Sequence, residues 1–179
     1  MSILRWLQKL PENVKPVATP EPRLVAYTDG ASPSNGKAAC RGGVGVAWLD
    51  PTHAAKNVSE PLKTPPRATN NRAELTAVIR ALEVADEIDP SRRRPLLIKS
   101  DSQLCVKTAN TWLKQWQKAG WVKADKREPS NLDLLKRLSV LLARRSTKLE
   151  HVAAHTGGTD VDSIHNAHAD RLAVAGAKM

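Results

Sequence analysis

The sequence predicts an α/β domain in which a mixed sheet carries helices on its faces. Three observations support this prediction. The 179 residues suit one domain of ordinary size. A hydrophobic content of 41% is sufficient for a sizeable core and argues against wholesale disorder. Short apolar runs and longer segments of helical spacing follow one another in the order βββαβααβα, which is the pattern of an α/β fold.

The first three predicted elements are strands. Four prolines mark residues 1–23 as an extension or linker, so we expect the folded domain to span 24–179. Apolar runs predict strands over 24–28, 43–49 and 57–62. The first of these strands ends at an Asp-Gly pair, which a turn-rich stretch follows.

The remaining elements are helices and two more strands. Pro65-Pro66 ends the third strand, and Thr69 or Asn70 can cap the helix that follows. Apolar residues then recur at roughly helical spacing. We predict a helix from this cap to about Asp86, a strand over 95–99, helices over 102–119 and 131–144, a strand over 148–153, a loop over 156–165 and a last helix over 166–175.

The charge balance points to a polyanionic partner. Lys and Arg number 28 and Asp and Glu number 18, which gives a net charge of +10. A compact domain with this excess usually meets a polyanion, although a generally basic surface is the plain alternative. The two cysteines form no zinc pattern and no disulfide framework, which favours a reducing compartment. Since we find neither a secretory signal nor an apolar run of ~20 residues, we expect an intracellular protein that does not contact membranes.

Four acidic residues stand where an α/β sheet presents its chemistry. Asp29 and Asp101 follow the first and fourth strands, whereas Glu74 and Asp170 fall in the first turns of predicted helices. Taken singly, each has an ordinary explanation as a turn former or as a partner of a helix dipole. Taken together, four crowded carboxylates would raise one another's pKa, and a hard divalent ion would resolve the conflict. All-oxygen ligation suits Mg²⁺ or Mn²⁺, and in a basic protein it indicates phosphodiester chemistry.

The strings around these carboxylates resemble type 1 ribonuclease H in order and in interval, from about residue 24 to 177. They are Tyr27-Thr28-Asp29-Gly30, Thr69-Asn70-Asn71-Arg72-Ala73-Glu74-Leu75, Ser100-Asp101-Ser102 and Asn166-Ala167-His168-Ala169-Asp170-Arg171-Leu172-Ala173. The resemblance implies a ribonuclease H-like fold with a five-stranded mixed sheet. It also implies hydrolysis of the RNA strand of RNA–DNA hybrids by two Mg²⁺ ions, with Mn²⁺ as a substitute, leaving 3′-hydroxyl and 5′-phosphate ends.

The resemblance also implies the roles of the site residues. Asp29, Glu74, Asp101 and Asp170 match the metal-binding carboxylates, and His155 matches a mobile histidine that helps proton transfer or product release. Imidazole suits that role because it changes protonation near neutral pH. The loop over 156–165 is longer than is usual in the family. Its further acidic and histidine side chains, and one histidine beyond it, are expected to be exposed polar residues: Asp160, Asp162, His165 and His168.

Three further groups match substrate-binding positions of the family. They are Asn35, Asn70, Asn71 and Gln103 for the minor groove and ribose hydroxyls, Arg67, Thr69 and Asn131 for a DNA-strand phosphate, and Trp112 and Trp116 for a channel that holds the DNA strand. Plain structural roles stay open at this stage. Asn35 can be a turn residue, Asn70 and Asn131 can be helix caps, and Trp121 is expected in the core. The eleven basic residues over 107–148 resemble the family's basic protrusion, which adds salt-sensitive phosphate affinity.

Two other functions compete with this interpretation. One is a non-catalytic module that binds hybrid or double-stranded RNA on the same fold. The other is a different nuclease or strand-transfer enzyme, such as an integrase or a Holliday-junction resolvase. The four carboxylates favour catalysis, while the Asn70-Asn71 pair and the tryptophan segment favour a hybrid substrate. We therefore expect a ribonuclease that acts on RNA–DNA hybrids, as a monomer.

Overall fold

Five strands form one mixed sheet in the computed structural model, which describes residues 22–33, 41–63, 68–154 and 157–179. The spatial order of the strands is β3-β2-β1-β4-β5. The first three strands pair antiparallel, whereas β1, β4 and β5 run parallel. Their bounds are β1 Leu24–Ala31, β2 Gly43–Trp48, β3 Val58–Pro61, β4 Leu96–Ser100 and β5 Thr147–His151. The predicted fold class is confirmed.

Helices cover both faces of this sheet. A 3₁₀ helix over Pro51–Lys56 joins β2 to β3. The predicted helix over 102–119 is continuous but irregular, because a π-helical turn over Thr108–Trp112 separates two α-helical pieces. The α-helices are α1 Asn70–Ile88, α2 Gln103–Lys107, α3 Leu113–Lys118, α4 Leu132–Leu142 and α5 Val161–Ala177. No helix in the described ranges is long and apolar enough to span a membrane.

The central strand β1 is longer than predicted. Its parallel pairing with β4 ends at Thr28 and Ser100, but its antiparallel pairing with β2 continues to Ala31. Asp29 therefore lies inside β1 and pairs with Gly45, although the sequence predicted that the strand would end before it. The error arises because the pairing with β2 holds the Asp-Gly segment extended, where local turn propensity alone favours a turn.

The two faces of the sheet bury different cores. Successive residues of a strand point to opposite faces, so Ala26 lies in the large core under α1 and α4 while Tyr27 lies in a small cluster under α5. This second face permits a very close helix approach. A Cβ atom at Gly45 would lie 2.1 Å from the carbonyl oxygen of Ala169, so only glycine fits where α5 crosses the sheet.

The last helix begins five residues earlier than predicted. Asp160 caps α5 by accepting a hydrogen bond from the Ser163 amide, so the predicted loop over 156–165 is partly helical. The added turn was missed because its apolar residues, Val161 and Ile164, are exposed and leave no buried stripe to detect. Asp170 consequently lies in the middle of α5 rather than in its first turn.

A buried arginine ties the far end of the domain together. The Arg145 side chain is 1% exposed and donates to the Asp89 carboxylate at 2.9 Å. Its guanidinium also donates to the carbonyl oxygens of Ala85, Asp89 and Arg94. These bonds join the end of α1 to the chain that leads into β4 and β5.

Candidate active site

Three of the predicted carboxylates converge at one edge of the sheet. Asp29 comes from β1, Glu74 from α1 and Asp101 from the residue after β4. Each offers an oxygen, and these three oxygens lie within 4.8 Å of one another. Since β1 and β4 are parallel neighbours whose pairing ends at residues 28 and 100, their acidic residues emerge side by side, as the sequence predicted.

The glycine after Asp29 brings α1 to this edge. A Cβ atom at Gly30 would lie 2.2 Å from the Glu74 amide nitrogen, so no other residue lets the helix approach so closely. Thr69 caps α1 by accepting from the Arg72 amide, which places Glu74 in the second turn. The predicted first-turn placement of Glu74, and with it the explanation by the helix dipole, is wrong.

Asp170 completes the group from the other face of the sheet. Its side chain lies within hydrogen-bonding reach of the Asp29 carboxyl, and its charge raises the pKa of Asp29. Because it is a mid-helix residue of α5, the dipole explanation fails for Asp170 as well. The structure thus brings all four predicted carboxylates together, and Asp29 interacts with both Asp101 and Asp170.

Burial and mutual repulsion disfavour the ionised forms of Asp29 and Glu74. Desolvation, followed by the charges of Asp29 and Asp101, raises the pKa of Glu74 to about 9. Desolvation and the charges of Asp101 and Asp170 raise the pKa of Asp29 to about 6. The Glu74 Oε2 atom is buried and has no hydrogen-bond partner among the described residues. A hard divalent cation would offset the repulsion between the carboxylates and would give the buried Glu74 oxygen a partner. Such an ion prefers carboxylate oxygens as ligands, so these residues fit it.

Several predicted substrate-binding residues surround one cavity beside the carboxylates. The cavity measures about 340 Å³ and is lined by Asn71, Trp112, Trp116 and Asn131, among others. The two tryptophan rings are half-buried, with centroids 5.7 Å apart and planes inclined by 38°. They share a helix face across the junction of the π-helical turn with α3. The sequence placed these residues in separate segments, and the tertiary structure gathers them.

The asparagines at helix starts are not caps through their side chains. Thr69, not Asn70, supplies the capping oxygen of α1. Asn131 precedes α4 in the left-handed conformation, with φ 60°, and its side chain makes no capping bond. Its Oδ1 atom instead accepts from Arg72 Nη1 at 3.3 Å, which turns the amide nitrogen away from Arg72. Neither asparagine therefore caps its helix through its side chain, although Asn131 does occupy the N-cap position of α4.

Other predicted residues have simpler outcomes. Asn70 and Gln103 are exposed at the first positions of α1 and α2. Trp121 is half-buried and packs against the main core. Asn35, Arg67 and His155 lie outside the residues that the structure describes.

Sequence reasoning missed two side chains at the site. Arg72 is buried, and besides Asn131 it binds Asp133 through both terminal guanidinium nitrogens, Nη1 at 3.0 Å and Nη2 at 2.5 Å. Asn166 on α5 donates from Nδ2 to Asp101 Oδ2 at 3.2 Å. Both lie inside the motif strings, but only their partners in space reveal what they do.

Two of the polar residues that were expected to be exposed in the loop make contacts with the sheet instead. Asp162 accepts from the Tyr27 hydroxyl at 2.7 Å and from Lys99 Nζ at 2.5 Å. His165 stacks on the Tyr27 ring with centroids 5.1 Å apart. Asp160 is exposed as expected, whereas Asp162, His165 and His168 are half-buried residues of α5. The expectation of an exposed loop is wrong for Asp162 and His165, because the added turn of α5 brings them into contact with β1 and β4.

A five-stranded mixed sheet with an acidic cluster at its central parallel strands defines the class of ribonuclease H-like α/β domains. The particular family follows from comparison with known proteins. A model of the RNase H family matches residues 21–178, and the chain belongs to this family.

Relatives and solved structures agree with this assignment. The chain is 40% identical to "Ribonuclease H" of Schizosaccharomyces pombe, over 87% of this chain and 53% of that protein. It is 35% identical to "Ribonuclease H" of Caulobacter sp. (strain K31), over 87% of this chain and 90% of that protein. A foamy viral protease-reverse transcriptase, solved in complex with RNA/DNA hybrid, superposes with a TM-score of 0.66 and 25% identity, over 94% of this chain and 22% of that chain. The chain thus spans about half the length of its eukaryotic curated relatives.

Proposed function

We propose that this protein is an endoribonuclease that hydrolyses the RNA strand of RNA–DNA hybrids and leaves 3′-hydroxyl and 5′-phosphate ends. The observation that carries the proposal is the convergence of Asp29, Glu74 and Asp101 within 4.8 Å, with Asp170 beside them, in a chain of net charge +10. Membership of the RNase H family and the hybrid-bound viral neighbour support the choice of substrate.

The carboxylates are the proposed metal ligands. An oxygen of Asp29 lies within 4.8 Å of oxygens of Glu74 and Asp101, and Asp29 also interacts with Asp170, so it is suited to serve two sites. We assign one ion to Asp29 and Asp170, and a second to Asp29, Glu74 and Asp101, with Mg²⁺ the proposed ion and Mn²⁺ a substitute. The chemistry supplied by such ions when bound is activation of a water and stabilisation of charge on the leaving 3′-oxygen. His155 is proposed to assist proton transfer or product release.

The cavity beside the carboxylates is the proposed place of the DNA strand. Trp112 and Trp116 offer flat apolar rings against deoxyribose, where a 2′-hydroxyl would be poorly accommodated. Arg72 holds the Oδ1 atom of Asn131, which leaves its amide nitrogen to donate to a phosphate. Thr69 and Arg67 are proposed to contact the same phosphate.

The RNA strand is proposed to face the amide side chains near the carboxylates. Asn70, Asn71 and Gln103 stand on the first turns of α1 and α2, each close in sequence to Glu74 or Asp101. Amides both donate and accept, which suits ribose hydroxyls and base edges in the minor groove. Asn35 is proposed to join them. We propose that residues 24–179 form this catalytic domain and that it acts as a monomer.

A cleavage panel tests the proposal. Purified protein is incubated with labelled RNA–DNA hybrid, duplex RNA, duplex DNA and branched DNA, each with Mg²⁺ or with chelator. We expect cleavage of the hybrid's RNA strand only, and only with Mg²⁺. Equal cleavage of all substrates, or cleavage in chelator, would count against the mechanism. Binding of the hybrid without cleavage would instead identify the non-catalytic module.

A pair of matched variants locates the chemistry. Asp101→Asn removes one charge at the cluster, and we expect at least a thousandfold loss of cleavage with hybrid binding retained. Asp50→Asn makes the same chemical change at an exposed residue that caps the 3₁₀ helix, and it should cleave at the wild-type rate. A fully active Asp101→Asn protein would remove that residue from the proposed metal site.

A further inference from the structure

An asparagine on α5 holds one of the carboxylates. Asn166 is 3% exposed, and its Nδ2 atom donates to Asp101 Oδ2 at 3.2 Å. Asp101 directly follows β4, whereas Asn166 belongs to α5, the last helix of the chain. The hydrogen bond therefore joins two elements that are not connected locally in the sequence. Because the contacting atom is a carboxylate oxygen, the amide must present its donor end to it.

Asn166 is costly to bury, which argues against a purely structural purpose. Its Oδ1 atom is buried and has no hydrogen-bond partner among the residues the structure describes. A buried acceptor without a partner destabilises the folded state, whereas an apolar side chain of similar shape would not. The packing alone would thus favour leucine at this position. What the amide provides that leucine cannot is the hydrogen bond to Asp101.

Asn166 also belongs to a stripe of three polar residues along α5. Asp162, Asn166 and Asp170 are spaced by four, so they lie on one face of the helix. Asp162 contacts Tyr27 and Lys99, and Asp170 lies beside Asp29. The stripe thereby contacts the same two strands, β1 and β4, that carry the central carboxylates.

We propose that Asn166 is a positioning residue that fixes the orientation of the Asp101 carboxylate for cation binding. It does so without adding negative charge to a cluster already crowded with it. A hydrogen bond to one carboxylate oxygen sets the plane of the carboxylate and thus the direction of its other oxygen. This inference rests on the proposed function for its link to catalysis, but the cation-binding step can be measured without any substrate.

Two variants separate positioning from structural support. Asn166→Leu keeps the size and burial of the side chain but removes the donor. Asp162→Asn is the matched control one turn earlier on the same stripe, because it weakens the contact with Lys99 and touches none of the four carboxylates. The probe is Mn²⁺ alone, titrated into each 179-residue protein and followed by the EPR signal of the free ion. Urea unfolding in chelator measures the stability of each protein.

Opposite patterns are expected for the two variants. Asn166→Leu should bind Mn²⁺ about tenfold more weakly, the lower end of the range for outer-shell ligand partners, and should unfold at the wild-type urea concentration or above it. Asp162→Asn should lose stability and keep its Mn²⁺ affinity. Unchanged Mn²⁺ affinity in Asn166→Leu would overturn the proposal. A loss of stability in that variant equal to the loss in Asp162→Asn would do so as well, since it would show a structural role.

The same proteins distinguish this inference from the hydrolase proposal. With hybrid as substrate, Asn166→Leu should lower kcat about tenfold at saturating Mg²⁺ and leave KM for the hybrid unchanged. A wild-type protein that binds Mn²⁺ but leaves hybrid intact would refute the hydrolase proposal alone. If the wild-type protein cleaves hybrid but Asn166→Leu binds Mn²⁺ with the wild-type affinity, only the positioning role is refuted.

Discussion

Replacing Glu74 with Gln should stabilise the protein at alkaline pH when no divalent cation is present. Burial and the charges of Asp29 and Asp101 raise the pKa of Glu74 from 4.5 to about 9. Between these values the folded protein holds a proton that the unfolded chain has released. The stability associated with this group is therefore complete below pH 4.5 and is lost as the pH rises towards 9. The Gln side chain has the same shape and does not titrate.

The magnitude follows from the size of this window. Each pH unit inside it costs about 1.4 kcal/mol of folding free energy, so the rise from pH 5 to pH 8 costs at most about 4 kcal/mol. Side-chain relaxation and water entry reduce this ceiling, and we expect an effect of about 2 kcal/mol. Asp29, whose pKa is raised to about 6, adds a smaller loss that is complete by about that pH.

The assay is urea unfolding in EDTA at pH 5, 6, 7 and 8, followed by circular dichroism. The matched control is Glu128→Gln at an exposed position, which cancels the effect of removing one acidic residue from a basic chain. We expect the difference in unfolding free energy between the two variants to grow with pH and to shrink when Mn²⁺ is added. A difference that is constant with pH, or a Glu74→Gln protein less stable than the control at pH 8, would refute the electrostatic argument.

Two further predictions concern the cavity and the far end of the domain. Trp112→Ala and Trp116→Ala should each weaken hybrid binding about tenfold at fixed salt, because each removes a ring that a nucleotide can pack against. Fluorescence anisotropy with labelled hybrid measures this, and wild-type affinity in both variants would exclude the cavity as a strand-binding surface. Arg145→Leu should lower the unfolding free energy by about 3–5 kcal/mol, because it leaves the Asp89 carboxylate buried without its partner. Urea unfolding checks this value, and a loss below 1 kcal/mol would show that the buried pair is dispensable.

The arrangement of elements could be predicted because it depends on local patterns. Apolar runs and helical spacing locate all five strands and the principal helices, with small errors at their ends. Asp29 and Asp101 could also be predicted to meet, because acidic residues at the ends of parallel strands emerge at one edge when those strands pair. Glu74 and Asp170 are identified by their motif strings, but their predicted places in the first turns of helices are wrong. The errors have a common origin. Asp29 lies inside β1 because β2 pairs with that part of the strand. The helix α5 begins earlier than predicted because the Asp160 side chain caps it, although its first turn has no buried apolar face.

The sequence by itself determined which residues of this protein carry charge, which face the core and in what order the strands and helices follow. Only the tertiary structure decided that Asn166 reaches Asp101, that Arg72 orients the Asn131 amide, and that Trp112 and Asn131 share a cavity. The physical reason is that periodicity and capping act over a few residues. A hydrogen bond between side chains 65 residues apart, by contrast, depends on how closely two elements approach. At this site glycines set that approach, because the absence of a Cβ atom at Gly30 and Gly45 brings α1 and α5 against the sheet.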